Sequence, residues 1–142
     1  MALTTFSIGR DTQIVIMGPN GRVDISHVIA FESRQITIPI RVSRIDGTQL
    51  GTELPRGWEG TFEVERGTSV LDDFIAGIEQ SYYSGNPIQP GTMYQYVTES
   101  DGSVSTYQFG GVVFKLASAG TWKGDAAVRQ KLEFFATQRQ RI

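Results

Sequence analysis

The chain has 142 residues, 39% apolar and 20% charged, a length and balance that suit one globular domain with a sizeable core. It has no cysteine and one histidine, which excludes disulfides, thiolate metal sites and any two-histidine metal centre within a single chain. The formal charge of −2 supplies no basic field for nucleic acid, the first residues lack a signal-peptide pattern, and no run approaches the ~20 apolar residues that span a bilayer.

In chain order, Thr4 to Ile8 and Gln13 to Met17 are short β-like runs around the turn signal Gly9-Arg10-Asp11, which predicts an N-terminal hairpin. Pro19-Asn20-Gly21 predicts a second turn. Val23, Ile25, His27, Ile29 and Phe31 then share one parity, the pattern of a half-buried strand. Arg34 to Ile45 carries Ile36, Ile38, Ile40 and Val42 on one face and Thr37, Pro39, Arg41 and Ser43 on the other. Pro39 cannot donate to a ladder, so this strand is expected at an edge, at a bulge or in a projecting arm. Asp46-Gly47 turns the chain, and the stretch from Asp46 to Gly57, with Gly47, Gly51 and Pro55, is expected to be a loop.

Trp58 leads into a strand with Phe62 and Val64 on one face and Thr61, Glu63 and Glu65 on the other. A helix is predicted over Ser69 to Ser84, with Ser69 as N-cap, Asp72 at N3, and Asp72 and Asp73 at the positive helix end. Leu71, Phe74, Ile75, Ile78 and Tyr82 recur at helical spacing and form its packing stripe. Ser84-Gly85-Asn86-Pro87 ends it. Thr92 to Thr98, a hairpin turn at Ser100-Asp101-Gly102-Ser103, and Val104 to Phe109 follow; Gly110-Gly111 allows a bend before Val112, Phe114 and Leu116. In the last strand, Val128, Gln130, Leu132, Phe134 and Ala136 share a face. A helix over 125–135 competes on propensity, but the regular period of two favours the strand.

The expected fold is therefore mostly β, an antiparallel sandwich or barrel with one central α-helix packed on its side, in a single domain spanning 1–142 with an arm at about 34–58.

Catalytic chemistry is not evident in these residues. His27 fits packing, Asp72 and Asp73 fit helix-start stabilisation, and Glu63 and Glu65 fit solvated strand positions. Gly57-Trp58-Glu59-Gly60-Thr61 lacks the context of a phosphate loop. Arg129, Lys131, Arg139 and Arg141 form a weak basic tract, and Tyr82, Tyr83, Tyr94, Tyr96 and Tyr107 are scattered between helix and strands rather than gathered into a platform. No catalytic residue, metal ligand or cofactor is expected. The features without an intrachain explanation are β edges and apolar arm residues, which point to assembly with further copies of the chain.

The order of these parts resembles the tail tube proteins of contractile-tailed bacteriophages, related in fold to the tube proteins of type VI secretion. The resemblance covers nearly the whole chain: the early strands, the arm at Arg34 to Arg56, Gly57-Trp58-Glu59-Gly60-Thr61-Phe62, the helix opening Ser69-Val70-Leu71-Asp72-Asp73, the Asp101-Gly102 hairpin, Gly110-Gly111-Val112-Val113-Phe114, and the long last strand. It implies hexameric rings stacked into a tube that conducts viral DNA without specific binding. The implied partners are sheath, baseplate and tail terminator proteins, in a virion tail assembled in the host cytoplasm. It assigns inter-subunit or inter-ring contacts to Ile36, Ile38, Pro39, Ile40, Arg41, Arg44, Asp46, Leu50, Leu54, Arg56 and Trp58. A ring-forming tail terminator or baseplate or hub component of the same fold is the alternative. A carbohydrate-binding β module would instead need an exposed aromatic cleft, and an enzyme a second acid near Glu63 or Glu65.

Overall fold

The structure, a computed structural model, describes residues 9–19, 21–23, 25 and 28–142, apart from the Arg10 side chain. The predicted strand at Thr4 to Ile8 with its hairpin, Asn20 of the second turn, and the packing of His27 lie outside the described residues.

After a short 3-10 turn at Gly9–Asp11, the strands are β1 (Thr12–Gly18), β2 (Gly21–Val23), β3 (Val28–Ser43), β4 (Gln49–Glu65), β5 (Gly91–Thr98), β6 (Val104–Ser118), β7 (Arg129–Ala136) and β8 (Gln138–Arg141), with α1 (Val70–Tyr83) between β4 and β5. The fold is mostly β, every pairing is antiparallel, and the sheet runs β2-β1-β5-β6-β7-β4-β3 with β8 also on β6. Two layers arise because β6 serves both. Its first half pairs with β5 and β8, and its second half with β7.

The bend occurs at the predicted Gly110-Gly111. Gly111 has φ 59°, and a Cβ there would stand 2.5 Å from Thr137 Oγ1. Thr137, at the corner between β7 and β8, donates from both its backbone N and its Oγ1 to Gly110 O, each at 2.9 Å. The two chain segments therefore turn from one layer to the other at the same point, and a side chain at Gly111 would obstruct it.

Between the layers, Ile14 and Ile16 of β1, Met93 of β5 and Phe109 and Val112 of β6 meet Phe62 and Val64 of β4 and Leu132, Phe134 and Ala136 of β7. Phe31, Phe109 and Phe134 form a ring cluster with centroids 5.6–6.4 Å apart. Full burial of each large side chain contributes about 1.5–3 kcal/mol. The segment at Arg129–Ala136 is a strand: Gln130, Leu132, Phe134 and Ala136 are all buried, an alternation that a helix could not direct to one side. Tertiary burial thus outweighs the helix propensity of Arg, Gln, Lys and Glu.

The uninterrupted half-buried strand expected from Val23 to Phe31 is not formed. Ile25, between β2 and β3, belongs to neither strand, and β3 has a register shift between Val28 and Ala30. Val23, Ile25 and Phe31 of the expected face do pack against the core, but at the irregularity Val28 joins them and Ile29 is left exposed, so the parity breaks there.

The helix forms where predicted, but its start is secured differently. Ser69 makes no side-chain cap; its Oγ donates to Asp73 Oδ2 at 3.0 Å. Asp72 reaches out of the helix instead. Its Oδ2 receives Arg66 Nε at 2.9 Å and its Oδ1 receives buried Gln130 Nε2 at 2.7 Å, which ties α1 to β7 and to the residue just beyond β4. Along the stripe, Leu71 is buried, Phe74 and Ile75 pack against the core, and Ile78 is partly buried. Tyr82, assigned to packing from its spacing, is 55% exposed and lies against Tyr83. Gln80 to Tyr83, the last turn, are all exposed.

Candidate assembly surface

β3 and β4 pair along almost their whole length, from Val28 with Val64 to Ser43 with Gln49. β4 pairs with β7 only from Trp58 onward, so beyond that point β3 and β4 have only each other. They form a two-stranded ribbon, and every residue from Ile38 to Arg56 is exposed. From the Thr37–Pro55 pair to the Ser43–Gln49 pair the ribbon extends roughly 20 Å at strand rise.

This corrects the expected loop at Asp46 to Gly57. Only the tip turns: Gly47 N donates to Arg44 O, Arg44 N to Thr48 O, and Thr48 N to Asp46 Oδ1. Hydrogen bonds from Thr48, its backbone N–H first, hold the Asp46 carboxyl below the usual aspartate range. Gly51 and Pro55, taken as loop residues, are strand residues. Gly51 lies beneath the Arg41 side chain, and Pro55 borders a register shift between Ile36 and Thr37. Gly57 completes that shift with φ 123°, where an added Cβ would meet Ala136 O at 2.7 Å. The alternation Leu50, Thr52, Leu54 could have revealed the second strand, since it mirrors Val42, Ile40, Ile38 across Asp46-Gly47.

The ribbon has two unlike faces. Paired positions Ile38 and Leu54, Ile40 and Thr52, and Val42 and Leu50 share one side, and the five apolar residues among them are 36–48% exposed. Pro39, Arg41, Ser43, Gln49 and Glu53 lie on the other. There Arg41 Nη2 donates to Glu53 Oε1 at 2.7 Å, Thr37 Oγ1 to Glu53 Oε2 at 2.8 Å, and Ser43 Oγ to Gln49 Oε1 at 2.7 Å. The Arg41 and Thr37 hydrogen bonds hold the Glu53 carboxyl below its ordinary value. Arg44 and Arg56, near the tip and the base, are exposed and make no side-chain hydrogen bond or ion pair among the described residues. Pro39 is tolerated because β3 ends the sheet order and has a free outer edge.

Trp58 is placed differently from the other arm residues, at the base of the ribbon, packed against the core 6.3 Å from Phe109. Ile36 beside it is partly buried. The Arg139 guanidinium lies over Trp58 at 4.5 Å and Tyr107 at 3.9 Å, a grouping that sequence reading did not bring together because its members lie on β4, β6 and β8.

Glu63 and Glu65 stand on the outer face of β4, opposite Lys131 and Arg129. Among the described residues, no group of three or more His, Asp or Glu is placed to hold a metal. A groove of about 760 Å³ runs between α1 and the β1–β2 turn, with Phe74 as its only aromatic lining residue, whereas Tyr94 and Tyr96 stack on each other on β5.

No protein-family model matches the chain, and no relative is found among curated proteins. Solved structures do match. A chain in the cryo-EM structure of the anti-feeding prophage cap, its tube-terminating cap, superposes with a TM-score of 0.64 at 12% identity, covering 100% of this chain and 94% of that one. A chain in the sheath/tube terminator of the extracellular contractile injection system PVC, in its extended state, gives 0.62 at 12% identity over 92% of this chain and 93% of that one. A chain in the PVC sheath-tube complex gives 0.62 at 12% identity, covering 92% and 88%. The chain therefore has a fold found in contractile injection systems.

Proposed function

We propose that the chain is a ring-forming structural subunit of a contractile tail or injection particle, placed where the tube ends, as its terminator or cap. The observation that carries this reading is the ribbon of 37–55, a long β-hairpin with one apolar face that its own subunit leaves uncovered. An isolated hairpin is marginal in water, and an exposed apolar strip on it gains most by covering against another chain. The full-length likeness to the cap chain supports the terminal position. In this reading the partners are neighbouring copies in the ring and the adjoining tube and sheath proteins, and the role is structural rather than enzymatic.

A second reading, a subunit of the tube itself, draws support from the likeness to a chain of the sheath-tube complex. Stacked hexameric rings and passage of DNA through their lumen belong to this reading in its phage form.

Electron microscopy of the purified protein separates the two. A terminator gives closed rings that do not elongate, whereas a tube subunit gives filaments of uniform width. A protein that stays monomeric at high concentration, and also in the presence of a tube end, would overturn both.

A further inference from the structure

Arg139 lies on β8, a short strand paired only with β6, and its side chain turns toward the base of the ribbon. The guanidinium carbon is 3.9 Å from the Tyr107 ring centroid, 4.5 Å from Trp58 and 5.7 Å from Phe109. Aromatic faces stabilise a cation, but they accept none of its in-plane N–H donors. Nε is buried and has no hydrogen-bond partner. The terminal nitrogens also lack a partner among the described residues, although they keep some access to solvent. Burial disfavours the charged form and lowers the pKa of this arginine, and no carboxylate compensates.

The other arginine–carboxylate contacts contrast with it. Arg34, Arg41 and Arg66 each have a carboxylate within 4.0 Å. A partly desolvated, ring-stacked arginine without an anion is poised to receive one, and its planar fork matches a carboxylate. We propose that Arg139 is a docking point for a side-chain carboxylate from a neighbouring copy of this chain. The chain can supply the anion, because its acidic residues outnumber its basic ones by 15 to 13 and Glu63, Glu65 and Glu99 form no ion pair among the described residues. The location also fits, since Arg139 joins the edge strand β8 to the ribbon base. The inference rests on the ring-forming reading and assigns it a polar anchor beside the apolar ribbon.

The test compares wild-type protein with Arg139→Met and Arg139→Lys, measuring the urea midpoint of the dissociated subunit and the concentration needed for assembly. Arg139→Met removes an uncompensated charge and keeps an apolar stem on the rings, so the subunit's midpoint is expected to hold or rise. The assembly concentration is expected to rise by roughly tenfold or more, as for loss of one partner from a desolvated charge pair. Arg139→Lys keeps charge without the fork and should fall between.

If wild-type and Arg139→Met assemble alike, the carboxylate docking is wrong while the ring reading stands. If Arg139→Met unfolds at lower urea in step with its loss of assembly, Arg139 is a structural residue only and the proposal fails. Arg139-dependent retardation of a DNA fragment, with unchanged assembly, would identify phosphate as the anion and overturn it as well. A wild-type protein that forms no assembly removes the ring reading and this inference with it.

Discussion

Gly111 shows how much of this fold depends on single positions. Its φ of 59° lies in the left-handed region, and the space a Cβ would fill is occupied by Thr137 Oγ1. Gly111→Ala therefore combines backbone strain with a steric clash at the corner that holds the two layers together. We expect a loss of about 1–3 kcal/mol, read as a lower urea midpoint with an unchanged denaturant slope. The Gly110-Gly111 bend was legible in the sequence, but Thr137 as the reason for it was not, because Thr137 sits at the distant corner between β7 and β8 and meets β6 only in the folded chain.

At the scale of elements, α1 and the ribbon behave in opposite ways. The helix is held by a short stretch of its stripe, with the Phe74 ring 5.4 Å from Phe114 of β6 in an edge-to-face contact. Phe74→Asp would place a carboxylate against that ring, and a destabilisation of about 2–4 kcal/mol is expected in urea titration. The ribbon makes no comparable contribution to its own subunit. In Ile40→Asp combined with Leu50→Asp, both residues are exposed, so the subunit's melting temperature is expected to stay within a few degrees of wild type. Assembly, followed by light scattering, should be lost. An assembled double variant would show that the apolar face is not the contact. The helix was readable because its period of 3.6 is local. The ribbon's second strand carries a local signal too, the alternation of Leu50, Thr52 and Leu54, but Gly51 and Pro55 mask it by mimicking loop chemistry where they in fact make room for Arg41 and border a register shift.

At the scale of the whole molecule, the proposed assembly would be driven mainly by burial of the apolar strip, with the ring-stacked arginine as a polar anchor. Such burial weakens on cooling, whereas simple salt screens exposed charges but not apolar contact. We expect assembly measured by sedimentation to strengthen on warming from the cold to room temperature and to persist in moderate salt. Dissociation by moderate salt alone would place the driving force in surface charge instead.

The sequence alone determined the β character, the central helix, the Asp101-Gly102 and Gly110-Gly111 turns, and the strand nature of Arg129 to Ala136. Each follows from periodicity or backbone chemistry within a few neighbouring residues, and such signals survive without knowledge of the fold. Tertiary structure alone decided that β6 serves both layers, that Val28 rather than Ile29 faces the core, that Asp72 ties the helix to Arg66 and Gln130, and that Arg139 lies on Trp58 and Tyr107. Those outcomes depend on strand register and on contacts between residues far apart in the chain, where one shifted residue exchanges the inward and outward faces.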